Sequence, residues 1–392
     1  MKKLIIIGII LFCGCNKYDM YKMPKDAYIN LNKNEFIVFE EHLSKELVKD
    51  SNVEILKNTK LNTNKIGKHK YTINYKYKKR TYKYDIEYNV IDNTKPVFIS
   101  SLSKVNVEIN TDEDLCERIS YGDNYDKKVK CTVEGEADFT KIGTYNLEFV
   151  LKDSSNNENR KKFILNIVEK IEKKDEEYIP NYLYINDILK YKNDNTSIGI
   201  DVSRWQGNVD FKKVKDAGIE FVIMRMGYQK KPNDEYELDP KFSEYYKQAK
   251  EVGLKISVYV YTVALNEKDG TKCAKWVLKN LNGDKLDLPI AYDWENWNEF
   301  KNYNTSIHDL SHGYLAFENT LKKYGYESML YSSKYYLENV WLDYDKSNVW
   351  LANYTAKTEY QGKYMLWQMT NMAKIDGITD NTVDIDILYK KN

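Results

Sequence analysis

The stretch "LPIAYDWENW", residues 288–297, ends an apolar run with two carboxylates one residue apart and surrounds them with aromatic rings. In an extended strand, residues i and i+2 share a face at about 3.3 Å rise per residue. Asp293 and Glu295 are therefore expected to look at one point in space, either solvent or a site. Two nearby carboxyl groups can divide acid–base work, because a neighbouring negative charge raises an acid's pKa and keeps a proton donor loaded near neutral pH.

The elements that would hold this pair are read from residue 197 onward, where short apolar runs alternate with amphipathic segments. "SIGIDVS" precedes "DFKKVKDAG", "FVIMRMG" precedes "DPKFSEYYKQAKEVG", and "KISVYVYT" precedes "EKDGTKCAKWVLKNLNG". "LPIAYDWE" and "ESMLYSS" open two further pairs, and Gly218, Gly253, Gly283 and Gly325 carry helix-stop signals. Repeated βα units make a parallel sheet with helices outside. "NVWLANY", "YMLWQMT" and "VDIDILY" then follow with little room for helices. The reading is a modified TIM-type α/β barrel of about five βα units plus three further strands.

Parallel barrels place their sites at the C-terminal strand ends. In strand order these ends offer Asp201; Arg225 and Tyr228; Tyr261; Asp293 and Glu295; Tyr331; Asn353 and Tyr354; Trp367 and Gln368. The eighth strand starts at Asp384. Acids together with aromatics describe a sugar site: rings stack on pyranose faces, one protonated carboxyl donates to the leaving oxygen, and a second group stabilises or attacks the oxocarbenium-like transition state. Trp205 and Gln206, after the first strand, either line the site or close its loop.

Five blocks in order, "IGIDVSRWQGNVDFKKVKDAGIEFVIMRMGY", "LDPKFSEYYKQAKEVGLKISVYVY", "LPIAYDWEN", "LWQMT" and "VDIDIL", resemble the glycoside hydrolase family 25 lysozymes over roughly residues 197–389. The resemblance implies a β/α barrel with fewer outer helices and N-acetylmuramidase activity on the β-1,4 link from N-acetylmuramic acid to N-acetylglucosamine. It makes Glu295 the general acid and Asp293 its partner, with Asp201 and Asp384 the other rim acids. Tyr261, Tyr331, Tyr354 and Trp367, with Gln368 and Arg225, would bind substrate. Asp386 stands where family members often have Asn, so its role is open. Carboxylates alone would do this chemistry, and no metal or other cofactor is expected. "HDLSH" places His308 and His312 four apart on a helix outside the barrel, without the glutamate of a zinc motif.

The rest of the 392 residues reads as delivery. "MKKLIIIGIILFCGC" has two lysines, a short apolar stretch and small residues. It is too short to span a bilayer of about 30 Å and reads as a secretion signal. Its end resembles a lipobox with Cys15 as the lipidation site, so residues 1–15 are assigned to the signal. The mature chain is then expected on the outer face of a bacterial membrane, as a lipid-anchored monomer facing peptidoglycan. Residues 71–90 alternate with period two around "KKR", and "NKIGKHKYTINYKYKKRTYKYDIEYNVID" is echoed 76 residues later around Ile142-Gly143. This suggests two β-sandwiches, 26–92 and 93–169, the second resembling bacterial Ig-like modules and both serving as stalk or spacer. Residues 170–195 read as a linker before a barrel at 196–392. Cys116 and Cys131 either bridge or stay reduced, and Cys273 is left over. Near-balanced charge, net +1, gives nothing that asks for nucleic acid. A non-catalytic wall-binding or adhesive protein, or a hydrolase of another amino-sugar polymer, are the alternatives.

Overall fold

The computed structural model describes residues 28–30, 53–56, 65–77, 80–172, 181–344 and 347–390. The signal segment and Cys15 lie outside them. The chain divides into two units, Met1–Lys95 with Ser154–Asn157, and Pro96–Asp153 with Glu158–Asn392.

In the first unit, β1 (Tyr28–Asn30), β2 (Val53–Ile55), β3 (Gly67–Tyr77) and β4 (Arg80–Ile91) form a sheet in the order β1-β4-β3-β2. The β3–β4 pair is antiparallel with Tyr77 opposite Arg80, the hairpin that the period-two pattern predicts.

The second unit begins with a β module. Its strands are β5 (Val97–Ser100), β6 (Lys104–Glu108), β7 (Ser120–Gly122), β8 (Lys130–Glu134), β9 (Gly143–Lys152) and β10 (Glu158–Val168). A four-stranded sheet, β6-β10-β9-β8, and the β5-β7 pair close over Phe98, Val105, Leu147, Phe149, Phe163 and Leu165. Cys116 and Cys131 are joined in a disulfide, and Cys273 is free and buried.

The same unit continues into the barrel. Leu183–Tyr184 (β11) pairs with a barrel strand, and the following turn α1 (Ile185–Ile188) buries Ile188 in the barrel's core. Part of the segment read as a linker is thus helical and packed on the barrel. Eight strands close the barrel: β12 (Thr196–Val202), β13 (Phe221–Tyr228), β15 (Lys255–Tyr261), β16 (Ile290–Asp293), β17 (Ser328–Ser333), β18 (Asn348–Ala352), β19 (Leu366–Lys374) and β20 (Val383–Tyr389). A two-residue strand, β14 (Glu237–Leu238), pairs with β13 outside the ring. Helices α2 (Phe211–Asp216), α3 (Phe242–Glu251), α4 (Glu267–Leu281), α5 (Ile307–Lys322) and α6 (Lys334–Asn339) follow the first five barrel strands. Several end as the glycine signals predict; Gly253 after α3 has φ 70°, which a residue without Cβ adopts at no steric cost.

One expectation is corrected. The ring is not wholly parallel, because β20 runs antiparallel to both β19 and β12. Reversal brings the beginning of β20, rather than its end, to the rim where the other strands finish, and Asp201 faces Asp384 across the ladder.

Strand parity then sorts the side chains. Phe221, Ile223, Ala291, Met329, Trp350, Leu366 and Leu388 fill the barrel interior. Val222, Met224, Tyr292, Trp367 and Met369 face the other way into the larger core under the helices. Among the described residues no helix is long and apolar enough to cross a membrane.

Candidate active site at the barrel mouth

Residues two positions beyond the interior layer point into the mouth. Asp293 follows Ala291 in register, Arg225 follows Ile223, Tyr331 follows Met329, Gln368 follows Leu366, and Asp386 and Asp384 precede Leu388. The barrel thus brings Asp201, Asp293, Asp384 and Asp386 together from three strands that are far apart in sequence.

Glu295 departs from the expected geometry. The strand stops at Asp293, so Glu295 sits past its end, exposed, while Asp293 is buried. Glu295 still acts on Asp293, raising its proton affinity after burial does. Glu295 lines a groove of about 620 Å³ together with Trp297, Tyr331, Lys334, Tyr335, Tyr336, Asn353 and Tyr354. The segment after it is held by Asn296, which accepts from the Tyr261 hydroxyl at 2.6 Å and donates to that of Tyr303 at 3.1 Å.

Burial dominates the electrostatics. It pushes the Asp293 carboxyl well above the usual range, and the adjacent Glu295 and then Asp201 push the same way, while Arg225 opposes them. Asp201 is raised by burial and then by Asp386, against a hydrogen bond from Gln368. Asp384 is raised by burial and by Asp201, and Asp386 by burial and by Asp384. One oxygen of Asp293 and one of Asp386 are buried without a hydrogen-bond partner. The sequence argument has Asp293 as the charge that loads its neighbour. In the folded chain Asp293 is itself raised, by its burial before any effect of its neighbour.

Gln368 is the hub of the mouth. Its Nε2 donates to Asp201 at 2.7 Å, and its Oε1 accepts from the hydroxyls of Tyr331 at 2.8 Å and Tyr354 at 3.0 Å. Trp350 Nε1 donates to the other oxygen of Asp386 at 2.7 Å. Tyr354 is exposed, and Tyr261 and Tyr331 are half-buried beside the acids.

Of the expected substrate contacts, Trp367 is placed away from the mouth, and Arg225, at the mouth, is already paired. Trp367 is 2% exposed and donates to Asn353 O at 2.8 Å within the core under the helices. Adjacent strand residues point to opposite faces, so Gln368 at the mouth requires Trp367 behind it. Arg225 is committed to Asp239, with Nε at 2.7 Å and Nη2 at 2.6 Å. Of the two readings for the first loop, Gln206 closes it: its Oε1 accepts from the Ser203 N–H and its Nε2 donates to Thr382 O. Trp205 is exposed. His308 and His312 stack at 3.9 Å on α5, and the nearby Asp343 raises His312 against the effect of burial, with Glu267 adding to the rise.

Sequence reasoning missed Asp239, Tyr259 and Trp350. Asp239 lies in a loop without periodicity. Tyr259 and Trp350 sit inside strands, where an aromatic residue reads as ordinary core.

Fold and site together define a β/α-barrel protein whose carboxylates and aromatics gather at one mouth. Residues 200–378 match the model of Glycosyl hydrolases family 25. The autolytic lysozyme of Clostridium acetobutylicum is 28% identical over 190 residues, 48% of this chain and 54% of its own length. The chain thus spans about half the length of that curated relative. Among solved structures, the spore cortex lytic enzyme SleM of Clostridium perfringens has 18% identity and a TM-score of 0.44, covering 50% of this chain and 68% of its own. A family 25 glycosyl hydrolase from Bacillus anthracis has 19% identity and a TM-score of 0.44, covering 51% and 92%.

Proposed function

We propose that the chain is a peptidoglycan hydrolase of the N-acetylmuramidase type. It would cleave the β-1,4 bond from N-acetylmuramic acid to N-acetylglucosamine. The observation that carries this reading is the meeting of Glu295, on an open aromatic-lined groove, with the buried Asp293 behind it. The match of residues 200–378 to a glycosyl hydrolase family supports it.

In this reading Glu295 protonates the glycosidic oxygen as the C1–O bond breaks. Asp293 holds the acetamido group or stabilises the positive charge at C1, and water then adds to C1 while its proton returns to Glu295. Tyr331, Tyr335, Tyr336 and Tyr354 offer ring surface to the sugars. Asp201 and Asp384 complete the rim, and carboxylates suffice without a metal. Delivery follows the sequence: Cys15 carries a lipid on the outer membrane face, and the two N-terminal β modules are Ig-like domains of a monomeric lipoprotein.

Release of reducing ends from purified cell walls tests the reading, comparing wild type with Glu295→Gln. Loss of a positioned general acid costs about 10²–10⁴ in rate. Undiminished release by the variant would refute the assignment, and no release by wild type from any wall would favour a binding protein. Muramic acid at the new reducing ends identifies the bond.

A further inference from the structure

The second β module does not merely precede the barrel; it is built into it beside Glu295. Strand β7 lies against the 3-10 turn Trp297–Asn302 that follows the acidic pair. The Ser120 hydroxyl, 1% exposed, donates to Trp297 O at 2.5 Å, and Trp297 N–H donates back to Glu295 O at 2.7 Å. Gly122 packs so closely on Phe300 that a Cβ there would collide with its ring. The Lys301 side chain, 6% exposed, donates to Cys116 O at 2.9 Å and pairs with Glu117 at 2.9 Å.

Contacts continue along the groove. Tyr335 lines it, and its hydroxyl donates to Phe98 O of β5 at 2.5 Å. The first amides of α5 are satisfied by the module as well: Ile307 N–H donates to Asp123 O at 2.8 Å and His308 N–H to Asn124 O at 3.2 Å. Ile99 belongs to the barrel's core rather than to the module's own. Buried hydroxyl, lysine and backbone partners of this kind are costly to separate, since each would be left unpaired. A spacer would need none of them.

We propose that the β module of residues 97–168 positions one wall of the Glu295 groove, with Ser120 the positioning residue that fixes the Trp297 segment. Trp297 stacks on Tyr336 at 4.2 Å and meets Trp294 edge-on at 4.6 Å, so a shift at Ser120 reaches both the groove wall and the residue next to Glu295. The kinetic half of this proposal rests on the hydrolase reading above; the structural half does not.

The test uses the full chain with Ser120→Ala, Gly122→Ala and, as control, Leu147→Ala, which loosens the module's own core away from the barrel. Hydrogen exchange over residues 294–303 is measured with kcat and KM on soluble wall fragments. Expected are faster exchange in the first two variants and a kcat lowered on the order of tenfold, with a smaller change in KM, as for slight misplacement of a catalytic group. Leu147→Ala lowers the melting temperature and leaves both readouts unchanged. Wild-type exchange and kcat in a folded Ser120→Ala variant overturn the proposal, as does Leu147→Ala reproducing the full effect. If the wild type cleaves nothing, the hydrolase reading fails, and exchange alone decides the positioning role.

Discussion

Replacing Asp386 by Asn should make the protein more stable at neutral pH. Asp386 is fully buried; Trp350 donates to one of its oxygens, and beyond that its side-chain partner is Asp201, another carboxyl, so the two can share a hydrogen bond only while one of them carries a proton. Burial and Asp384 raise its pKa in the folded chain. A carboxyl with a raised folded-state pKa binds its proton more tightly when folded. The stability that proton confers is fully present below the unfolded value of about 3.9 and is lost as pH rises through the folded value. Asn resembles the protonated acid at every pH: its oxygen accepts from Trp350, and its amide donates to Asp201 beside it. Where pH has stripped the shared proton from the Asp201–Asp386 pair, restoring that donor is worth about 1–3 kcal/mol. For a domain of this size that raises Tm by roughly 2–10 °C. Calorimetry of both proteins from pH 4 to 8 reads the effect. The gain should be largest at pH 7–8 and shrink toward pH 4. A variant less stable than wild type at pH 7.5, or a gain independent of pH, would refute the reasoning.

Other perturbations separate roles that the residue types alone leave mixed. Trp367→Ala should cost about 3–5 kcal/mol of stability, read by denaturant unfolding, with KM unchanged while the protein is folded. A raised KM without loss of stability would return Trp367 to the substrate surface. Gln368→Leu strips Asp201, Tyr331 and Tyr354 of a shared partner. Both stability, by about 1–3 kcal/mol, and wall cleavage should fall. Breaking the Cys116–Cys131 bridge by Ser substitution should lower stability by about 3 kcal/mol for a loop of this length. Reduction of the wild type should reproduce that shift in a melting curve.

Much of the barrel was legible because its periods are clean. Runs such as "FVIMRMG" followed by a 3.6-period segment and a glycine leave little freedom in type or order. The acids could be found because they end apolar runs, where charge is costly without a use. Direction was less legible: "VDIDILY" alternates identically whichever way it runs, and only pairing to β12 and β19 shows that it runs antiparallel. The Trp367–Gln368 choice is a matter of parity, and a one-residue error exchanges a core tryptophan for the hub of the mouth. Docking of the β module left no trace, since Ser120, Gly122 and the carbonyls of Cys116 and Phe98 follow no pattern.

These features share a physical origin. Four aspartates at one mouth repel one another and lose solvation, and Arg225, which opposes this at Asp293, is itself held by Asp239. The fold does not relieve the crowding with a cation at each acid. It raises the proton affinity of the buried carboxyls and gives two of them fixed donors, Gln368 to Asp201 and Trp350 to Asp386. A site so arranged is less stable than its neutral replacement, which is why Asp386→Asn should stabilise. Glu295, just outside, is held by a segment whose rigidity comes from Tyr261 on one side and Ser120 on the other. Stability and activity should therefore separate: neutralising Asp386 raises the first, while loosening Ser120 lowers the second by more than a comparable loss of stability elsewhere in the module, with Leu147→Ala as the control. Both results together would place the strain in the acids and the precision in the surrounding scaffold.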